Sequence, residues 1–193
     1  YQASAMQNID QILASLDEVD KVAQAYNDQD LLQKSSEVRT VTLQYRDLYN
    51  SGVDLLKTNT ELAKTMADSG TQVVDLAKAY YQSILDNTDG QTSEGLPIVI
   101  NIWDTALETR LNQNKYMLYK DATYYTALQD GITKLGTLYT DLAKVTTDPQ
   151  ETQRINDARK ATDAYEQAAL NWVRNDNNLT QTLDQMAAIG QKV

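Results

Sequence analysis

SEVRTVTLQYRDLY (residues 36–49) and NDARKATDAYEQAA (residues 156–169) stand 120 residues apart and share one frame. Arg39 aligns with Arg159, Thr42 with Thr162 and Tyr45 with Tyr165. Extended without gaps from Ser36–Val73 against Asn156–Val193, the match adds Val53/Val173, Thr60/Thr180, Met66/Met186, Ala67/Ala187, Gly70/Gly190 and Val73/Val193. Such self-similarity at a fixed offset is the mark of a duplicated structural unit. In a heptad frame both tyrosines and both threonines fall on the seam, and both arginines on the flank beside it. A third Arg–Tyr pair with the same spacing, Arg110/Tyr116, sits in a different register and reads as a weaker relative.

Composition points the same way. The chain has 193 residues with only 7 Gly and 2 Pro. Abundant Ala, Leu, Gln, Asp and Lys predict an all-α fold. There is no Phe, and 12 Tyr carry most of the aromatic surface, so packed rings bring hydroxyls that want partners. Without Cys there is no disulfide, thiolate nucleophile or cysteine-ligated zinc. Without His the commonest general base and metal ligand is missing. A net charge of −10 argues against nucleic acid and anionic membrane surface as partners. No calcium-loop spacing, phosphate-binding glycine loop, HExxH or serine elbow is present, so neither a metal, a cofactor nor an enzyme activity is expected. A carboxylate-pair hydrolase would need a deep cleft that a thin helical rod rarely offers.

The periodicity predicts helices over roughly 3–50, 53–86, 98–146 and 150–193, with a loop at 87–97. Ile9, Leu16 and Val19 open the first heptad pattern, and Asn27–Asp30 is either a short capped break or a polar turn of one long helix. Ser51-Gly52 reads as a kink or boundary, because glycine inside a helix costs about 1 kcal/mol relative to alanine. One seam of the third helix runs Leu111, Leu118, Tyr125, Ile132, Tyr139, and the other Leu107, Asn114, Asp121, Leu128, Leu135, Leu142. Asp148-Pro149 starts the last helix with a capping acid and a proline in its first turn. Sustained seams with short breaks predict an elongated antiparallel helical bundle. Two stacked four-helix modules sharing long helices are the leading arrangement, and a single long four-helix bundle the alternative. No window is apolar enough to span a membrane. The chain starts at Tyr1 and stops inside a helical pattern at Val193, as expected of a domain cut between two membrane helices.

The candidate chemistry lies in the arginines. A flanking Arg commonly lays its stem across a seam and pairs with a nearby acid. The alternative is a site in which guanidinium and hydroxyl groups converge on a carboxylate ligand, since Arg offers the bidentate fork that carboxylates prefer. Candidate ligand-binding residues are Arg39, Thr42, Arg46, Arg110, Arg154, Arg159 and Tyr125. Arg39 and Arg46 make a cationic stripe seven residues apart, Arg154 and Arg159 lie near the start of the last helix, and Asn114 and Asp121 interrupt an apolar seam after Arg110.

The order and spacing of Val38-Arg39 through Tyr45-Arg46-Asp47-Leu48-Tyr49, Arg110 through Tyr116-Met117-Leu118-Tyr119-Lys120-Asp121 with Tyr124-Tyr125, and Ala158-Arg159 through Tyr165 to Trp172-Val173 carry a resemblance. The chain resembles the helical bimodular ligand-binding domain of bacterial methyl-accepting chemotaxis receptors. That resemblance implies six helices in two stacked four-helix bundles, a homodimer, and a periplasmic position between transmembrane helices of an inner-membrane receptor. It also implies small organic-acid ligands such as malate, succinate or citrate, with acetate in the second module of some members. This chain is shorter than the usual family domain. The competing expectations are a helical interaction scaffold without a small-molecule ligand and the sensor domain of a histidine kinase.

Overall fold

A computed structural model describes residues 2–87 and 94–191. It is an all-α helical bundle: α1 (Gln2–Ala25), α2 (Gln29–Asn87), α3 (Gly95–Tyr119), α4 (Ala122–Val145) and α5 (Pro149–Gly190). No strand occurs among the described residues. The middle of the expected loop, 88–93, lies outside them; α2 extends to Asn87 and α3 starts at Gly95, inside the expected loop. No helix of the described residues is long and apolar enough to cross a membrane.

The chain divides into two compact units, residues 1–59 with 174–193, and residues 60–173. The first unit holds three helical segments rather than four: α1, the first half of α2 and the end of α5. The second holds four: the rest of α2, α3, α4 and the start of α5. Its core is built around Val73, Ile102, Leu135, Tyr139 and Leu142, with a second cluster of Met66, Leu128, Tyr165 and Trp172.

Three expected boundaries move. The 3–50 helix breaks at residues 26–28, where Asn27 takes a left-handed conformation (φ 56°) and Asp28 Oδ1 accepts from the Leu31 amide at 3.0 Å. Asparagine tolerates that conformation and aspartate is a favoured N-cap, so the break option holds there. Ser51-Gly52 does not end a helix. A Cβ at Gly52 would sit 3.7 Å from both Leu179 and Thr182, so this buried glycine marks close approach of α5 within the first unit.

The third correction has the widest consequence. The 98–146 helix is two helices, because Lys120 is left-handed (φ 56°) and Asp121 caps α4 by accepting from the Thr123 amide at 2.8 Å. That backbone hydrogen bond also holds the Asp121 carboxyl below its ordinary range. The chain reverses, α3 packs on α4, and the heptad frame restarts. In α4 the expected seam is buried at Leu128, Leu135, Tyr139 and Leu142. In α3 the buried face is instead Val99, Ile102, Ala106, Thr109 and Gln113, while Leu107, Leu111 and Leu118 are exposed, and so is Asn114.

The duplication is larger than the aligned sequences suggest. α1 and α4 begin at residues 2 and 122 and end at 25 and 145; α2 and α5 begin at 29 and 149, always 120 residues apart. Asp28 and Asp148 cap the second helix of each hairpin alike, each accepting from the amide three residues on. Thr42 donates to the Val38 carbonyl at 2.8 Å, as Thr162 does to Ala158 at 2.9 Å. The α1–α2 and α4–α5 hairpins are copies of one unit.

Candidate functional site

Each arginine must satisfy its charge in an acidic chain, and its position decides how. In the first unit the Arg39 guanidinium reaches across to α1, 2.9 Å from Asp17 and 2.7 Å from Asp20. The nearby Ser35 hydroxyl and then the hydrogen bond from Arg39 hold the Asp20 carboxyl below its ordinary value. Arg46 lies 3.5 Å from the neighbouring Asp47. The two arginines therefore form no free cationic stripe.

In the second unit Arg159 donates to Thr140 at 3.1 Å and lies 5.8 Å from the centre of the Tyr139 ring. This is the duplicate of the Arg39 contact, because Thr140 and Asp20 are also 120 residues apart. Arg154 points elsewhere: it pairs with Glu151 and reaches the Ala79 carbonyl of α2 at 3.5 Å. Arg154 and Arg159 thus serve different helix contacts and do not converge. Tyr125 packs at 5.2 Å against Tyr116, whose ring meets Trp172 edge-on at 6.3 Å.

Glu151 gives the Arg154 pair its weight, since it is only 7% exposed. Removing one partner of a buried pair strands the other charge. With Arg154 itself a quarter exposed, Arg154→Ala is expected to lose about 3 kcal/mol in urea unfolding. Replacing both residues with methionine should recover most of that loss. Equal stability of Arg154→Ala and wild type would show that the pair carries nothing.

Arg110 differs from Arg39, Arg46, Arg154 and Arg159. It is half-buried on α3, yet it makes no ion pair or hydrogen bond among the described residues. Its stem crosses α2 at Gly70, where a Cβ would come within 3.0 Å of Arg110 Cδ. Glycine at that point is what lets the guanidinium lie against the helix. Beside it sit Thr109, Thr162 and Tyr165, around a cavity of only about 10 Å³, room for one water. The Tyr165 hydroxyl donates to Gln113 at 2.9 Å. Burial pushes the Tyr165 phenol up, and the Arg110 charge opposes that rise.

Behind this group the Tyr139 hydroxyl lies 2.8 Å from Thr162, whose own proton goes to the Ala158 carbonyl. A hydroxyl donates once, so Tyr139 is the donor. Gln113, Tyr139 and Gly70 are not among the candidate ligand-binding residues expected from the sequence, where Tyr139 stands as a seam residue and Gly70 as a duplicated one. Their one visible signal is polar or small residues on helix faces that otherwise carry the core.

Among the described residues no group of three or more acids, histidines or cysteines could hold a metal ion. No family model, curated protein or solved structure matches this chain.

Proposed function

We propose that this chain is the periplasmic sensor domain of an inner-membrane chemotaxis receptor, and that it binds a small organic acid at Arg110. The observation that supports the reading most is a half-buried arginine with no ion pair or hydrogen bond among the described residues, in a chain of net charge −10, lining one cavity with Thr109, Thr162 and Tyr165. A cation without a counter-charge is open to a carboxylate ligand, which can meet its fork with a bidentate hydrogen bond. Malate, succinate and citrate are the candidate ligands.

The cavity has room for about one water, so an organic acid beside Arg110 needs α3 to move against α2 and α5. That requirement is what couples ligand to signal. A ligand shifts a two-state equilibrium only by its differential affinity, and an acid that fits one helix offset alone has a large one. Two copies of the receptor side by side in a membrane would carry the shift outward. Arg39, Arg154 and Arg159 are structural in this reading, because their partners lie within the fold.

One observation favours a second reading, a helical interaction scaffold: Ile100, Leu107, Leu111 and Leu118 leave an apolar stripe on α3 exposed. A thermal-shift series with two- to six-carbon carboxylates separates the two. Ligand at one hundred times its Kd should add about 2.7 kcal/mol, a rise of roughly 5–11 °C in Tm for a chain of this size. Arg110→Gln should abolish the rise, and Arg159→Ala should lower the baseline Tm while keeping it. No shift with any acid would favour the scaffold.

A further inference from the structure

The two copies of the helical hairpin are completed differently, and the difference exposes a second site. In the second unit Thr162 accepts a hydrogen bond from Tyr139, and the Tyr165 hydroxyl donates to Gln113 of α3. In the first unit the equivalents are Thr42 and Tyr45. Thr42 gives its proton to Val38 just as Thr162 gives its own to Ala158, so its lone pairs are likewise left to accept. The position matching Tyr139 is Val19, which has no hydroxyl. No helix of the first unit stands in the place of α3, and the Tyr45 hydroxyl has no hydrogen-bond partner among the described residues.

In the first unit Thr42 and Tyr45 line a cavity of about 340 Å³. Small-molecule sites begin at about 300 Å³. Its other walls include Ile9, Ile12 and Tyr49, with Asn8 at one side, and no charged side chain among the described residues lines it. Thr42 is 6% exposed, so its hydroxyl is a desolvated polar group at the wall of an apolar space.

We propose that this cavity binds a small neutral aromatic alcohol or phenol, whose ring packs on the isoleucines while its hydroxyl donates to Thr42 and accepts from Tyr45. Such a molecule supplies what Tyr139 and Gln113 supply in the duplicate. Without a lining charge among the described residues the cavity offers a carboxylate no counter-charge, unlike Arg110, which belongs to the second unit.

The probe is p-cresol, the tyrosine side chain as a free molecule, titrated into the full chain with tyrosine-ring NMR signals as the readout. The Tyr45 and Tyr49 signals should shift saturably. Toluene should bind at least about ten-fold more weakly, since it forfeits hydrogen bonds worth about 1 kcal/mol each. Thr42→Val should weaken p-cresol about ten-fold without changing toluene. Arg110→Gln should leave the p-cresol affinity unchanged, which keeps this test independent of the organic-acid reading. The proposal is overturned if p-cresol shifts neither tyrosine up to its solubility limit, if benzoate binds as tightly, or if Thr42→Val binds p-cresol like wild type.

Discussion

Raising the pH from 10 to 12 is expected to remove several kcal/mol of stability from this protein. Burial raises the Tyr139 phenol from its ordinary 10 to about 12, against the opposing charge of the nearby Arg159. Tyr165 is raised further by the same cause. In the unfolded chain both phenols ionise near 10, so above that pH the unfolded state gives up protons that the folded state retains. Stability from this source is fully present below pH 10 and is lost as pH climbs through the folded values. Tyr139 alone contributes about 2 kcal/mol to the loss between pH 10 and 12, most of the full two pH units at about 1.36 kcal/mol each. The check is urea unfolding at pH 8, 10, 11 and 12, beside tyrosinate absorbance. Tyr139→Phe should cost about 1 kcal/mol at pH 8, yet lose visibly less between pH 10 and 12. An identical alkaline loss in Tyr139→Phe and wild type would remove Tyr139 from the explanation.

The second large effect is expected at Gly131, where α4 crosses α3. A Cβ there would lie 2.2 Å from Thr109 Oγ1 and 3.2 Å from Thr109 Cβ. The hydroxyl cannot swing away freely, because it donates to the Thr105 carbonyl at 2.7 Å and is buried. Alanine is a better helix former than glycine by about 1 kcal/mol, so the sign depends on whether the clash outweighs propensity. Overpacking a well-filled contact costs 1–3 kcal/mol or more, and valine adds two methyls to the collision. Gly131→Val should therefore lose about 3 kcal/mol in urea unfolding. Gly136, one turn and a half along the same helix, has nothing within 4 Å of its Cβ position. Gly136→Ala should gain about 1 kcal/mol. In a Thr109→Ala background most of the Gly131→Val penalty should vanish, a non-additivity expected only of residues in contact. Equal effects of alanine at 131 and 136 would mean that the helices separate more easily than their packing implies.

Much of the fold was legible because its signals are local. Asp148-Pro149 announces α5 by capping chemistry alone, and the 120-residue frame fixes equivalent faces of α2 and α5. The break at Lys120 was not legible. Neither glycine nor proline marks it, and a heptad count carried through it put Asp121 in a seam when that residue caps a helix. Gly52 misled in the opposite direction. Its missing side chain answers to Leu179 and Thr182, more than 120 residues away in sequence, and no local rule carries that information.

The arginines divide on the same principle. Position on the flank of a seam was readable from spacing, but whether a guanidinium is already neutralised depends on what stands opposite. Asp17 and Asp20 face Arg39 from another helix. Thr140 occupies the Asp20 position in the duplicate, so Arg159 meets a hydroxyl there in place of a carboxylate. Arg110, which in sequence looked the weakest of the three Arg–Tyr copies, is the one left without a partner among the described residues.

Isothermal titration of malate, succinate and citrate into the wild-type chain and into Arg110→Gln tests the central proposal most directly. Saturable one-site binding of at least one acid is expected in the wild type, with affinity lower by ten-fold or more in Arg110→Gln. Absence of binding by all three acids, or the same affinity in both proteins, would contradict it.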